Sequence, residues 1–152
     1  RIEPVDRSRG VREIVLPLVA GVLPFAFLFF PVNREIVSTR ERAMALFAAM
    51  TLFTSFTIWG MVTLRRAFSV TVEARTLVTG GPYRLVRHPI YSGEVLTGAM
   101  VVILRFSPLN AALFALFLAL QLVRSRLEEQ KLLRVFPAYR DTVGKSAWFW
   151  KA

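Results

Sequence analysis

The residues best suited to chemistry are concentrated at positions 81–93, GPYRLVRHPIYSG, a polar segment between strongly apolar runs. It contains His88, the single histidine of the chain, together with two arginines and two tyrosines. Pro82 and Pro89 prevent a continuous helix, and a glycine pair at its start allows a turn. Such a constrained loop suits a charged, partly aromatic small ligand. The alternative is a basic connector at the lipid headgroups.

A second candidate cluster lies about thirty residues further on, where Gln121, Arg124 and Glu128 follow one another at spacings of three and four. Residues at these spacings share one helix face, so a polar face is expected where the helix leaves the membrane. We expect this face to form part of a site, because polar groups are costly in lipid. The alternative is a surface ion pair between Arg124 and Glu128. Glu129 is expected to play a supporting part by pairing with Arg126.

Length and composition identify the kind of protein that positions these groups. The chain has 152 residues, of which 55% are hydrophobic, and a mean hydropathy of +0.49, which predicts one integral membrane domain. The net charge is +10, and the charged residues lie between apolar runs, which favours anionic lipid headgroups over nucleic acid as the partner. Without cysteine, and with a single histidine, no disulfide and no familiar metal site is expected. No glycine-rich dinucleotide motif is present, so a cofactor site would be built from loops and helix ends.

Hydrophobic runs predict four membrane-spanning helices, at about 14–32, 43–64, 91–106 and 109–123. Prolines at 17, 24 and 31 predict kinks in the first span. The last two spans are short and joined by a turn at 107–110, so we expect a helical hairpin whose second helix continues until Pro137. Glu94, just inside the third span, is an acid without a predicted partner. The first apolar run lacks a small-residue cleavage site, so no signal peptide is expected, and an N-terminal piece is expected to precede Arg1.

Basic residues predict the orientation. With four spans and a cytoplasmic N-terminus, 16 of the 20 lysines and arginines lie on the cytoplasmic side. This asymmetry follows the positive-inside rule and places both candidate clusters at the cytoplasmic face. The aromatic residues 148–150 are expected to anchor the chain at the interface.

The two clusters together resemble the isoprenylcysteine carboxyl methyltransferase family, which belongs with the membrane phospholipid methyltransferases. The resemblance is carried by RHPIYSG at 87–93, by TGGPY at 79–83 before it, and by RSRLEE at 124–129. It extends over about 76–139.

This resemblance implies a methyltransferase that uses S-adenosylmethionine and acts on a lipophilic acceptor. It places the following residues around the cofactor: Thr76, Leu77, Val78, Tyr83, His88, Pro89, Ile90 and Tyr91. It also implies that Glu128 holds the charged methionine end of the cofactor and that Arg124 holds the acceptor or its carboxylate.

The chain departs from the family pattern at two places. Arg75 stands where a histidine is common, and Phe136-Pro137-Ala138-Tyr139 replaces the usual Phe-Gly-x-Glu-Tyr ending. The resemblance favours carboxyl O-methylation of a prenylated cysteine. An N-methyltransferase for phospholipids or small amphiphiles is the alternative, and a non-enzymatic membrane scaffold is a third possibility.

Overall fold

The computed structural model describes residues 10–65 and 77–140, which are mostly helical. The chain begins with α1 (Gly10–Val22), which passes directly into a 3-10 helix, η1 (Leu23–Phe29). Three further long helices follow: α2 (Arg40–Leu64), α3 (Pro89–Leu104) and α4 (Pro108–Val135). A short 3-10 helix, η2 (Gly81–Arg84), precedes α3. No β-strand is formed within the described ranges, and the predicted all-α class is confirmed.

Contacts between distant parts of the sequence show that neighbouring helices run antiparallel. The contacts along each interface are Thr54–Thr97 and Gly60–Ile90 for α2 and α3, Glu94–Gln121 and Tyr91–Glu128 for α3 and α4, and Glu13–Lys131 and Phe27–Phe117 for the first helix and α4. In each pair of helices, the residue numbers rise along one helix as they fall along the other. Helices α1 and α3 therefore begin at the end where α2 and α4 finish. We call this the site end, and we call the opposite end, with the α3–α4 turn, the hairpin end.

The first helix changes its geometry at a proline. Pro17 remains inside α1, whereas the change from α-helix to 3-10 helix occurs next to Pro24. A proline has no N–H and its ring crowds the preceding turn, so a tighter local geometry is a natural response. The predicted irregularity is therefore found at Pro24, and Pro31 lies beyond the end of η1.

At the hairpin end, backbone carbonyl groups near the helix ends accept hydrogen bonds from other parts of the chain. Arg105 donates from Nη1 to the carbonyl oxygens of Leu28, at 3.1 Å, and of Phe30. The Asn33 N–H donates to the Leu104 carbonyl at 2.8 Å. The first and third helices are thus joined where their terminal carbonyls would otherwise lack partners.

Close packing of α2 against α3 depends on Gly93. A Cβ added there would collide with the hydroxyl of Thr57 and would lie 2.9 Å from the carbonyl oxygen of Phe53. Small residues at helix interfaces allow backbones to approach closely in membranes. This contact fixes α3, and with it the start of the candidate site, against α2.

Within the described ranges, three helical segments are long and apolar enough to cross a membrane: Gly10–Phe29, Arg40–Leu64 and Pro108–Val135. The fourth, Pro89–Leu104, has 16 residues and a length of about 24 Å. Only 11 to 28% of each spanning window is buried inside the protein, and many large hydrophobic side chains are exposed on these helices. The chain is an integral membrane protein.

The helix ends differ from the predicted spans by a few residues. The first helical segment begins at Gly10, the second at Arg40 and the third at Pro89, each earlier than predicted. Polar residues extend the second helix because Thr39 Oγ1 accepts from the Arg42 N–H at 3.3 Å and caps it. A proline is favourable at a first helical position, so Pro89 begins α3. Helix α4 ends at Val135, as the following proline predicts.

Candidate active site

Polar side chains on α3 and α4 face one another from the site end down into the membrane-spanning part. We call this set the polar ladder; it consists of His88, Tyr91 and Glu94 on the α3 side and Gln121, Arg124 and Glu128 on α4. The ladder forms because residues three or four apart share a helix face and because the two helices run antiparallel. The structure therefore brings the segment at 81–93 and the polar face of α4 together at one site.

Tyr91 is the centre of the ladder. Its hydroxyl donates to Glu128 Oε2 at 2.6 Å, and its ring stacks on that of His88 with centroids 5.2 Å apart and planes 6° apart. The guanidinium carbon of Arg124 lies 4.6 Å from the Tyr91 ring centroid, a cation–π distance. A single buried tyrosine thus contacts three of the residues that the sequence predicted.

Glu129, which follows the ladder residue Glu128, is a buried carboxylate that contacts His88 and Arg87. Its side chain is 3% exposed, and its Oε1 lies 3.0 Å from His88 Nε2 and 3.4 Å from Arg87 Nη1. The sequence predicted a supporting pair with Arg126, which stays a prediction, whereas the contacts with His88 and Arg87 were not predicted. A buried carboxylate is stable only when it is paired, so the Glu129 contacts fix His88 in place. The sequence signal for Glu129 was its place at the end of the RSRLEE motif at 124–129.

The other two of the three tyrosines in the chain also lie close to the acidic pair. Burial, followed by the nearby Glu128 carboxylate, raises the pKa of Tyr83 well above its usual value. Burial, followed by Glu129 and Glu128, likewise raises the pKa of Tyr139. Both phenols therefore stay neutral at physiological pH and are available as hydrogen-bond donors. Tyr139 was not among the predicted site residues.

The inner end of the ladder is formed by two residues from different helices. Gln121 donates from Nε2 to Glu94 Oε2 at 2.6 Å. Gln121 is therefore the partner of Glu94 that the sequence did not reveal. Arg124 is also close enough to Glu94 to interact with it electrostatically. Glu94 further lines a cavity of about 360 Å³ between the first helix, α2 and α3.

The remaining predicted cofactor residues lie outside the ladder. Thr76 is outside the described residues, as are Arg75 and the aromatic residues 148–150. Leu77 and Val78 are half-buried in the irregular segment before η2. Pro89 and Ile90 are buried and face α2, where a Cβ added to Gly60 would lie 3.0 Å from Ile90 Cγ1. The structure thus assigns Pro89 and Ile90 a packing contact, and their contact with a cofactor stays a prediction.

The ladder has the groups needed to bind a zwitterionic, partly aromatic ligand. Glu128 is 29% exposed at its side chain, so it is an accessible anion for an ammonium group. The stacked rings of His88 and Tyr91 offer an aromatic surface, and Arg124 adds a cation next to them. We find these residue types compatible with S-adenosylmethionine, which carries an ammonium, a carboxylate, a sulfonium and an adenine ring.

Comparison with known proteins gives an independent result. No curated protein matches the chain. The profile of the isoprenylcysteine carboxyl methyltransferase (ICMT) family matches residues 43–134, which is more than half of the sequence. The matched region begins at residue 43, earlier than the resemblance over about 76–139, and it includes most of α2. It contains the complete polar ladder, and the chain belongs to the ICMT family.

Proposed function

We propose that this protein is an S-adenosylmethionine-dependent methyltransferase that acts on a lipophilic acceptor, with its active site at the site end of the helices. The observation that carries the proposal is the meeting of His88, Arg124 and Glu128 around Tyr91. Family membership supports membrane methyl transfer as the general activity. The charge asymmetry of the sequence supports a cytoplasmic position for the site.

S-adenosylmethionine, when bound, supplies a methyl group activated on a sulfonium. In the proposal, Glu128 pairs with the ammonium of the ligand, and Tyr91 and His88 contact its apolar and aromatic parts. Tyr83 lies near Glu128 and is placed to help enclose the ligand. The predicted contacts of Thr76, Leu77, Val78, Pro89 and Ile90 are part of the same proposal.

The chain contributes positioning, because an activated methyl group needs alignment with its acceptor more than it needs a covalent intermediate. Glu129 positions His88 through the 3.0 Å contact and Arg87 through the 3.4 Å contact. Tyr91 in turn holds the Glu128 carboxylate at 2.6 Å. These buried contacts preorganise the site, so little ordering is left for the moment of reaction.

The family name suggests a prenylated cysteine, methylated at its carboxyl group, as the acceptor. In that case Arg124 would pair with the acceptor carboxylate. Its position over Tyr91, next to Glu128, supports a role beside the reacting groups. Arg124 and Glu128 are accordingly the proposed catalytic residues.

Transfer of labelled methyl groups tests this proposal. The purified protein in lipid nanodiscs is incubated with methyl-labelled S-adenosylmethionine and a panel of prenylated, acylated and phospholipid acceptors. We expect label to appear in the organic phase. The exposed surface variant Glu35→Gln should retain this transfer, and Glu128→Gln should lose it. A protein that binds no cofactor and transfers no label would instead act as a membrane scaffold.

A further inference from the structure

The first helix lies outside the region that matches the family profile, which begins at residue 43. It is nevertheless in contact with the helix that carries the acidic pair of the site. Glu13, in the first turn of α1, has its Oε2 2.7 Å from Lys131 Nζ on α4. Lys131 comes three residues after Glu128 and two after Glu129. An element outside the matched region therefore contacts α4 right beside the site.

The ion pair between Glu13 and Lys131 is buried. The side chains of Lys131 and Glu13 are 3% and 17% exposed. A buried charge is stable only when it is paired, and removal of one partner leaves the other charge uncompensated. Helices α1 and α4 cannot slide or rotate against each other at this level without separating the two charges. The pair therefore fixes α4 relative to α1.

At almost the same level, α4 is also in contact with α3 and the residue before it. Glu128 accepts from the Tyr91 hydroxyl at 2.6 Å, and Glu129 Oε1 lies 3.0 Å from His88 Nε2. Lys131 is only about 3 Å further along the axis than Glu129, but two residues turn a helix by about 200°, so its side chain points to a different neighbour. Helix α4 is thus held from two sides where the site is formed.

We propose that Glu13 and Lys131 are positioning residues, which set the rotation of α4 and with it the place of the Glu128 and Glu129 carboxylates. A side-chain end lies about 5–6 Å from the helix axis, so a rotation of about 20° moves it by about 2 Å. A displacement of this size breaks a hydrogen bond of 2.6 Å such as that from Tyr91. The consequence for the cofactor rests on the proposed function, whereas the positioning of the carboxylates does not.

His88 offers a direct readout of the rotation of α4, because it is the single histidine of the chain. Its ring stacks on Tyr91 and contacts Glu129, so its imidazole NMR signals depend on where α4 stands. Protein made with isotope-labelled histidine and placed in nanodiscs gives these signals without any cofactor. Calorimetry with S-adenosylmethionine and thermal unfolding of the same samples measure affinity and stability separately.

The double variant Glu13→Gln/Lys131→Met removes the ion pair without leaving a buried charge alone, so it should fold. We expect its His88 signals to move or split, and its affinity for S-adenosylmethionine to fall at least about fivefold, because small misplacements in a site are costly. The reversed variant Glu13→Lys/Lys131→Glu rebuilds the pair with exchanged charges. It should restore the His88 signals and bring the affinity back to within about twofold of the original.

Phe27→Leu is the matched control, because it weakens the contact between the same two parts of the chain further from the site. Phe27 is fully buried and packs edge-on against Phe117 of α4, with ring centroids 5.9 Å apart. This variant should lower the melting temperature through loss of packing. It should leave the His88 signals and the cofactor affinity unchanged.

The outcomes separate positioning from stability and from methyl transfer. Unchanged His88 signals and affinity in the double variant, with only a lower melting temperature, overturn the positioning role and leave the methyltransferase proposal standing. A reversed variant that folds but behaves like the double variant also overturns it. If the original protein binds no S-adenosylmethionine while its His88 signals still follow the ion pair, the positioning role stands and the methyltransferase proposal falls.

Discussion

At the scale of single residues, Tyr91 explains why Arg124 and Glu128 belong to one site although they have opposite charges. The Tyr91 hydroxyl contacts the carboxylate, and the ring face lies under the guanidinium. The two charges are thus brought together around an aromatic ring. The Glu128 side chain is 29% exposed, so a ligand can reach it, whereas Arg124 is buried against the ring.

Arg124→Lys should separate acceptor alignment from cofactor binding. Lysine keeps the positive charge but loses the planar fork and the flat contact with Tyr91. We expect near-normal affinity for S-adenosylmethionine and a turnover reduced at least about tenfold, or roughly 1.4 kcal/mol of transition-state stabilisation. Calorimetry and label transfer measure the two quantities. Loss of melting temperature alone, with both quantities intact, would show that Arg124 is structural.

Sequence spacing predicted the residues of the ladder better than it predicted their partners. Arg124 and Glu128 share a face by helix periodicity alone, and the structure confirms that they share it. The partners of Glu94 and Glu129 could not be predicted, because these contacts join residues 27 and 41 positions apart. Such pairs depend on the register of α3 against α4, which no local pattern specifies.

At the scale of helices, the α2–α3 contact determines where the ladder sits. The sequence predicted both helices from their apolar runs, yet it did not reveal that Gly93 lies directly against Thr57. Local propensity also missed the true helix starts, because capping by Thr39 and a proline at position 89 extend the helices beyond the apolar residues. Helix ends depend on such single contacts more than on composition.

Gly93→Ala tests the importance of this contact. The added methyl group would meet Thr57 and the Phe53 carbonyl, so we expect a loss of about 1–3 kcal/mol in stability. Thermal unfolding in detergent measures the effect. Gly21→Ala is the matched control, because its added Cβ meets no atom within 4 Å, and it should leave the melting temperature unchanged or slightly higher. Equal behaviour of the two variants would contradict the close packing.

At the scale of the whole molecule, the four helices form an alternating up-and-down arrangement. Its site end is also tied together by an ion pair between α1 and α4, in which Lys131 Nζ lies 2.7 Å from Glu13 Oε2. Lys131 is almost fully buried, so this pair connects the first helix to the helix that carries Glu128. Composition predicted the membrane class, whereas the pairing of α1 with α4 required the folded structure.

The orientation in the membrane is testable because the chain has no cysteine. Single cysteines introduced at Ser38, near the hairpin end, and at Ser146, outside the described residues, should react with impermeant reagents from opposite sides. We expect Ser38 to label from outside and Ser146 from the cytoplasmic side, because 16 of the 20 basic residues then lie inside. Labelling of both positions from one side would rule out the arrangement with four crossings.

Binding of S-adenosylmethionine to the purified protein tests the central claim most directly. Calorimetric titration should show a single site, and Glu128→Gln should weaken binding by roughly 1.5 to 3 kcal/mol through loss of one charge-assisted hydrogen bond. Glu35→Gln, which changes an exposed acid at the hairpin end, should bind like the original protein. Absence of binding to the folded protein, or equal affinity in the Glu128→Gln variant, would contradict a cofactor site in the polar ladder.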